Sequence, residues 1–381
     1  AVFMNATLRD LARRVEVHLI SMLDRADQLE ANRELASFCT SAEFVVRSSA
    51  RPRLNGTILP RAVREFASEE LEWLLHRQIY TRAIDVVQLE YTPMAQYAGH
   101  YRHIANALFE HDVYFQSIAR GLKGAPNAKA AFEYLRALRY ELKALPRMDR
   151  IQTCTAENRD YLLGFLPQIA RKTQAGLRAA IDVSRYRFHS GGREPLTMLF
   201  LGSFRHLPNQ LALEWFTAKV LPRVLDQCPQ ARLVVAGSEM QPNQAPPLSP
   251  AIEVLGCVAD VRQPLSRYAA FVCPVLSGSG IRVKLLEAFA TGIPAVSTPL
   301  GAEGLARKDG EFCLLASEPE DFARRILELF SQPEAAAEMA ERARHEVATR
   351  WNTRHLTEHL VESYRDALVE KRGATSSRFP S

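Results

Sequence analysis

The chain has 381 residues, 47% of them hydrophobic and 24% charged, with a formal net charge of +5. No apolar run reaches the length of a membrane span, and the length suggests two domains of ordinary size. The mild basicity tolerates an anionic nucleotide or an anionic membrane surface and demands neither. Six cysteines (Cys39, Cys154, Cys228, Cys257, Cys273, Cys313) show no C-x-x-C spacing, and several lie in apolar runs. They read as buried thiols in a reducing compartment, with neither a disulfide frame nor a zinc site.

The opening stretch, AVFMNATLRDLARR, is already helical and lacks the basic and apolar regions of a secretory leader. Strand-like runs follow at 15–22, 43–49, 85–92, 106–113, 149–155 and 172–180, separated by helical stretches such as 67–81 and 128–145. Strands alternating with helices predict a doubly wound, mainly parallel α/β sheet. The binding crevice of such a sheet lies beyond the carboxyl ends of its strands. Two runs end there in polar groups, Glu90-Tyr91 and Glu110-His111-Asp112; Asp112 reads as a helix N-cap. Residues 115–150 carry eight cations (Arg120, Lys123, Lys129, Arg136, Arg139, Lys143, Arg147, Arg150) against Glu133, Glu141 and Asp149. With Phe132, Leu135 and Leu138 interleaved, this is either a basic amphipathic helix for an anionic membrane or a solvated helix with one core-facing stripe. No nucleic-acid motif accompanies the charge, so nucleic acid is not an expected partner.

Residues 181–195 lose periodicity around Ser190-Gly191-Gly192 and mark a linker between a first domain, 1–180, and a second, 196–350. The second domain continues with strand-like runs at 196–204, 231–238, 252–258 and 269–275. A helix from about 281 to 291, a last strand at 312–317 and helices at 318–331 and 334–350 complete it. Residues 351–370 form a further helix, and 371–381 are expected to be disordered.

The informative stretch is FVCPVLSGSGIRVKLLEAFATGIPAVSTPLGAEGL, residues 271–305. It reads as strand, glycine bend, helix, glycine stop, strand and a second glycine turn. Gly278, Ser279 and Gly280 bring backbone amides to a helix start, a place that attracts phosphate. Arg282 and Lys284 occupy the first turn, which is unfavourable for the helix unless an anion binds there. Lys284 and Glu287 are three apart and share a face, matching a diphosphate and a ribose diol.

This block resembles the donor site of nucleotide-sugar glycosyltransferases of the GT-B fold, in particular glycosyltransferase family 4. LLEAFATGIPAVST matches closely, and Glu287 matches the second glutamate of the family's E-x7-E; Ser279 stands where the first is usual. A branch of the family reads GSGIRVKxLEA at this place. The resemblance implies two Rossmann-like domains facing across a cleft, with a first strand that would precede residue 1 and a C-terminal helix crossing back onto the first domain. It further implies a retaining transferase, hexosyltransferase-like, of polysaccharide biosynthesis. The donor would be a nucleoside-diphosphate sugar such as a UDP- or GDP-sugar, and the acceptor a glycan or lipid-linked. Location would be cytoplasmic, with possible peripheral contact at the inner membrane face through 115–150.

By the same resemblance His111 faces the transferred sugar, and Gly202 and Arg205 lie beside the donor diphosphate. Arg205 is either a phosphate clamp or an exposed loop residue. Gly237 and Val258 line the base mainly through backbone, and Glu303 lies near the sugar-phosphate. No D-x-D occurs in the chain, so no metal and no separate cofactor is expected. Leaving-group charge is then met by backbone amides, a helix dipole, Lys284 and Arg205 or Arg282. Two alternatives remain: a GT-B nucleotide-sugar epimerase using Glu90 or Glu110 as acid/base, and a non-catalytic scaffold.

Overall fold

The computed structural model of the protein describes residues 2–47, 58–124, 127–178, 180–240, 249–278 and 280–376. They divide into a first unit, Ala1–Ala180 with Thr353–Ser381, and a second, Ile181–Asn352. The first contains α1 (Val2–Leu11), β1 (His18–Leu23), α2 (Gln28–Ala36), β2 (Ser41–Val46), α3 (Arg61–Glu65), α4 (Glu69–Thr81), β3 (Val86–Glu90) and β4 (Ala105–Glu110). It continues with α5 (Tyr114–Gly124), α6 (Ala128–Ala144), β5 (Arg150–Thr153), α7 (Ala156–Phe165) and β6 (Thr173–Ala175). Several helices begin where a side-chain oxygen satisfies an otherwise unpaired amide: Ser68 accepts from Leu71, Asn127 from Ala130 and Thr155 from Asn158.

Every strand pair is parallel, yet the first unit has two sheets where one was expected. β1 pairs with β2, and a separate sheet runs β3-β4-β5-β6. A cavity separates β1 from β3, so no ladder closes between them. β4 is buried along its whole length. On one face it meets a cluster of Leu11, Leu360, Val361 and Tyr364; on the other, the larger core around Leu108, Phe115 and Leu145.

The second unit contains β7 (Glu194–Leu201), α8 (Leu207–Trp215), α9 (Leu221–Gln227), β8 (Arg232–Ala236), β9 (Ile252–Gly256), α10 (Arg262–Arg267) and β10 (Tyr268–Cys273). It ends with α11 (Val283–Thr291), β11 (Ala295–Ser297), β12 (Leu314–Leu315), α12 (Pro319–Ser331) and α13 (Pro333–Arg350). Its sheet runs β12-β11-β10-β7-β8-β9. The order of strands therefore reverses between β7 and β10. Met198, Phe200, Val235 and Val272 are wholly buried in the core beneath it.

The last helix, α14 (Thr353–Ser376), belongs to the first unit. The tail expected to be disordered from 371 is helical to Ser376. Its basic residues are anchored: Lys371 donates to Asp149 at 2.6 Å and Arg372 to Asp85 at 3.0 Å, directly after Glu370, the partner of the buried Arg150. Residues 377–381 lie outside the described residues.

α11 stops where the sequence places its stop. Gly292 is left-handed with φ 73°, and Ile293 returns its amide to Ala288. A Cβ on Gly292 would also stand 2.3 Å from the Phe188 ring. Gly292→Ala is therefore expected to cost about 1–3 kcal/mol from the backbone alone, with the ring clash added, as measured by urea unfolding.

Candidate functional site

In an open parallel sheet the crevice forms where strand order reverses, here outside the carboxyl ends of β7 and β10. The turns that follow these and the neighbouring strands lie at that end of the second unit's sheet. The turn 202–206 follows β7. Gly202 donates its amide to Ala236 at 3.1 Å, and Phe204 donates to Ser238 at 2.8 Å. A Cβ at Gly237 would lie 1.8 Å from the Gly202 carbonyl oxygen, so only glycine lets these turns touch. The Gly237 amide donates to Gly256 at 2.8 Å. The N–H of Gly237, a residue the resemblance puts at the base mainly through backbone, is thus spent within the sheet. Val258 lies half-buried two residues beyond β9, and Arg205 is exposed on its turn.

The bend after β10 has Gly278 at φ 99° and Gly280 at φ 80°, conformations that side chains disfavour. Ser279 lies outside the described residues. Arg282, the N-cap of α11, folds back so that Nη1 donates to the Gly280 carbonyl at 2.9 Å.

Lys284, read from the sequence as a first-turn cation that an anion would justify, also has protein partners. Its Nζ donates to the Leu201 carbonyl and to Asn209 Oδ1, each at 2.9 Å, and sits 5.1 Å over the Phe200 ring. Burial, aided by Arg282, draws its pKa below the usual lysine range. Glu287 is buried and accepts from the Tyr186 hydroxyl at 2.8 Å. Burial lifts its pKa and the tyrosine bond opposes the lift. Lys284 and Glu287 therefore share a helix face but each has its own protein partner. Beyond β11, Thr298 donates to Val275 at 2.6 Å and accepts the Gly301 amide at 2.9 Å. This locks the turn carrying the half-buried Glu303 onto the loop after β10. Among the described residues no three His, Cys, Asp or Glu side chains converge as a metal site.

A second cluster occupies the first unit at the carboxyl ends of β3 and β4. His111 is buried, its Nε2 2.9 Å from Glu90, its ring stacked 3.9 Å from Tyr91 and tilted against Phe109 at 4.2 Å. Glu90 also takes the buried Arg178, which lies over Phe109. Burial works against the Glu90 carboxylate, yet Arg178 and His111 hold its pKa below the usual range. Burial keeps the His111 imidazole neutral against the pull of Glu90. Tyr91 has φ 77°, a strained backbone at the strand end. Arg178, Tyr186 and Asn209 were not foreseen as site residues; only Asn209, in the Pro-Asn after a glycine turn, left a local signal.

Residues 195–332 match the family model for glycosyl transferases group 1. Solved structures agree over nearly the whole chain. Sucrose-phosphate synthase from Thermosynechococcus elongatus superposes with a TM-score of 0.72 at 15% identity, over 95% of this chain and 92% of that one. Anabaena HepE, solved with UDP and glucose, gives 0.68 at 12% identity, over 96% and 95%. The fold is GT-B. A glycosyltransferase from Rickettsia africae gives 0.63 at 13% identity, over 97% and 96%. An uncharacterized 44.6 kDa protein in the cps region of Klebsiella pneumoniae is 30% identical over 146 residues. That match spans 34% of this chain and about a third of the relative, 36%.

Within this GT-B chain Glu110 stands apart from Glu90. It is fully buried, accepts from the Thr92 hydroxyl, and its pKa is pushed up to about 8 by burial, with Asp112 adding to the shift. Glu141, buried and accepting the Phe115 amide at 2.9 Å, is raised as well, by burial and by Glu110. A carboxyl held protonated by the fold contributes stability that is full below its unfolded pKa and lost as pH rises through its folded value. The Glu110 contribution therefore fades between the ordinary 4.5 and about 8. Glu110→Gln should gain thermal stability relative to the parent as pH rises through that window. A difference in Tm that stays constant from pH ~5 to ~9 would rule this out.

Proposed function

We propose that the protein is a retaining glycosyltransferase of family 4, which moves a sugar from a nucleoside diphosphate to a glycan or lipid-linked acceptor. The observation that carries this reading is the ammonium of Lys284, held at the reversal of the sheet beside a left-handed glycine bend that opens α11. The two bonds to Leu201 and Asn209 fix the nitrogen in place and leave it a third proton to donate. Held in a poorly solvated setting, it meets a diphosphate's charge more strongly than an exposed lysine would. The amides of Gly278 and Gly280 and the amino end of α11 add to that field, and the exposed Arg205 is assigned to the same charge. Leaving-group stabilisation then needs no metal.

Glu287 keeps one oxygen on Tyr186 and offers the other to a ribose hydroxyl. His111, neutral and oriented by Glu90, is assigned to the transferred sugar. Glu90 is tied to Arg178 and Glu110 is protonated deep in the core, an arrangement that fits an epimerase base poorly.

UDP and GDP, titrated separately, should raise the melting temperature for one of the two; saturation at 100 times Kd corresponds to about 2.7 kcal/mol. Lys284→Ala should abolish that rise and Glu287→Gln weaken it. Full retention of the shift in a folded Lys284→Ala protein would overturn the site. His111→Ala should lower turnover on the order of 10²-fold with nucleotide affinity unchanged.

The acceptor side has a second motivated feature. α6 exposes Phe132 and Leu135 beside Lys129, Arg139 and Lys143, whereas Arg147 and Arg150 of the same basic stretch are engaged internally. We assign this face to peripheral contact with anionic lipid, where a lipid-linked acceptor would be met. The protein should sediment with phosphatidylserine vesicles and not with phosphatidylcholine alone, and Phe132→Glu with Leu135→Glu should abolish it. Equal sedimentation of parent and variant would dismiss the contact.

A further inference from the structure

α14 buries one face and leaves the other to solvent. Leu360, Val361 and Tyr364 pack with Leu11 and with Ala107 of β4, and Leu356 is buried as well. His355, His359 and Glu362 are exposed, and they stand at i, i+4 and i+7. That spacing puts the three side chains on one stripe of the helix. The two imidazoles meet there, with ring centres 4.5 Å apart and planes perpendicular. Glu362 extends the stripe, its Oε2 3.2 Å from Nδ1 of His359. A carboxylate only accepts, so in the neutral ring Nδ1 carries the proton and Nε2 keeps its lone pair. The exposed His355 ring has no hydrogen-bond partner among the described residues, so it too keeps a lone pair for an outside ligand.

Two histidines one turn apart on a helix are a ligand pair for a transition-metal ion. An imidazole nitrogen bonds zinc at ~2.1 Å, which sets the ring centre roughly 3 Å from the ion. Two rings in adjacent positions around one ion are then about 4.5–5 Å apart, the separation of His355 and His359. A carboxylate on the far nitrogen of one ring is the usual support of a metal-binding histidine, fixing its tautomer and raising its basicity. Residues 355–359, HLTEH, have the H-x-x-E-H order of one class of zinc peptidase helix. In such enzymes the glutamate must be free to activate a water. Glu358 is instead ion-paired with Arg14 of the first unit at 3.0 Å and with Arg354 at 3.8 Å. With no third His, Cys, Asp or Glu converging on the pair among the described residues, the remaining positions fall to water. The arrangement therefore fits binding and not hydrolysis.

We propose that His355 and His359 chelate one divalent transition-metal ion of the zinc and nickel class on the solvent face of α14, with Glu362 holding His359 in place for it. Imidazole suits these ions, whereas magnesium and calcium prefer oxygen ligands and are not held. The ion bridges the first and second turns of α14, which begins at Thr353. The opening amides of a helix lack intrahelical partners and fray readily, so the bridge clamps the end of α14 that needs it most. Neither histidine is assigned to the sugar-transfer reaction proposed above, and the ion takes no part in it.

Calorimetric titration of the whole chain with Zn²⁺ and, separately, Ni²⁺ at pH ~7.5, where imidazole is neutral, should show a site that Mg²⁺ does not occupy. His355→Gln and His359→Gln should each weaken that site about tenfold or more, and the double variant should weaken it no further than either alone, because a single imidazole cannot chelate. Glu362→Gln should weaken it about tenfold through the lost support of His359. All three side chains are exposed, so the metal-free variants should melt with the parent. Other histidines and cysteines of the chain can also take these ions, so amide hydrogen exchange locates the site. Zn²⁺ should slow exchange at residues 357–361 in the parent and leave the double variant unchanged. A parent without such a site, full affinity in either single variant, equal occupation by Mg²⁺, or Zn²⁺ protection of α14 that survives the double substitution would each overturn the proposal.

Discussion

A half-buried ammonium organises the second unit. Lys284 on α11 reaches the last carbonyl of β7 and the side chain of Asn209 on α8, with the Phe200 ring beneath it. A lysine drawn this far out of water persists only because its protons find fixed acceptors, since an unpaired buried charge is severely penalised. The same bonds join three elements at the point where strand order reverses. The glycines around it serve that arrangement: Gly237 lets the turns after β7 and β8 touch, and Gly278 and Gly280 let the β10 bend reach the start of α11.

The first unit solves a similar problem with carboxylates of opposite character. Glu90 stays ionised because Arg178 and His111 bond it, whereas Glu110, in the next strand over, has only a hydroxyl donor and is held protonated. Two glutamates at neighbouring strand ends thus differ in charge because one has a buried cation within reach and the other does not. The neutral imidazole of His111, clamped between Tyr91, Phe109 and Glu90, is oriented before any ligand arrives.

The GT-B match and the site geometry bear on different questions. Structural neighbours at 12–15% identity establish how the chain folds. The glycosyl transferases group 1 match covers 195–332, the part that holds the glycine bend, Lys284 and Glu287. The chemistry assigned to those residues rests on their own surroundings.

Local pattern determined a good deal of this protein. Alternating strands and helices, the capped start of α4, the stop at Gly292 and the glycine bend after β10 all follow from short-range rules of backbone conformation and hydrophobic period. The partners of the site residues do not. Tyr186 is 101 residues from Glu287 and Arg178 is 88 from Glu90, and no periodicity links such pairs. The protein partners of Lys284 were not legible, because position along a helix says nothing of what the next strand places over it. The division of the first unit's strands into two sheets was equally hidden, since strand propensity is local while pairing requires an edge to be within reach. Tertiary packing alone decided which charges are tied down and which remain to meet a ligand.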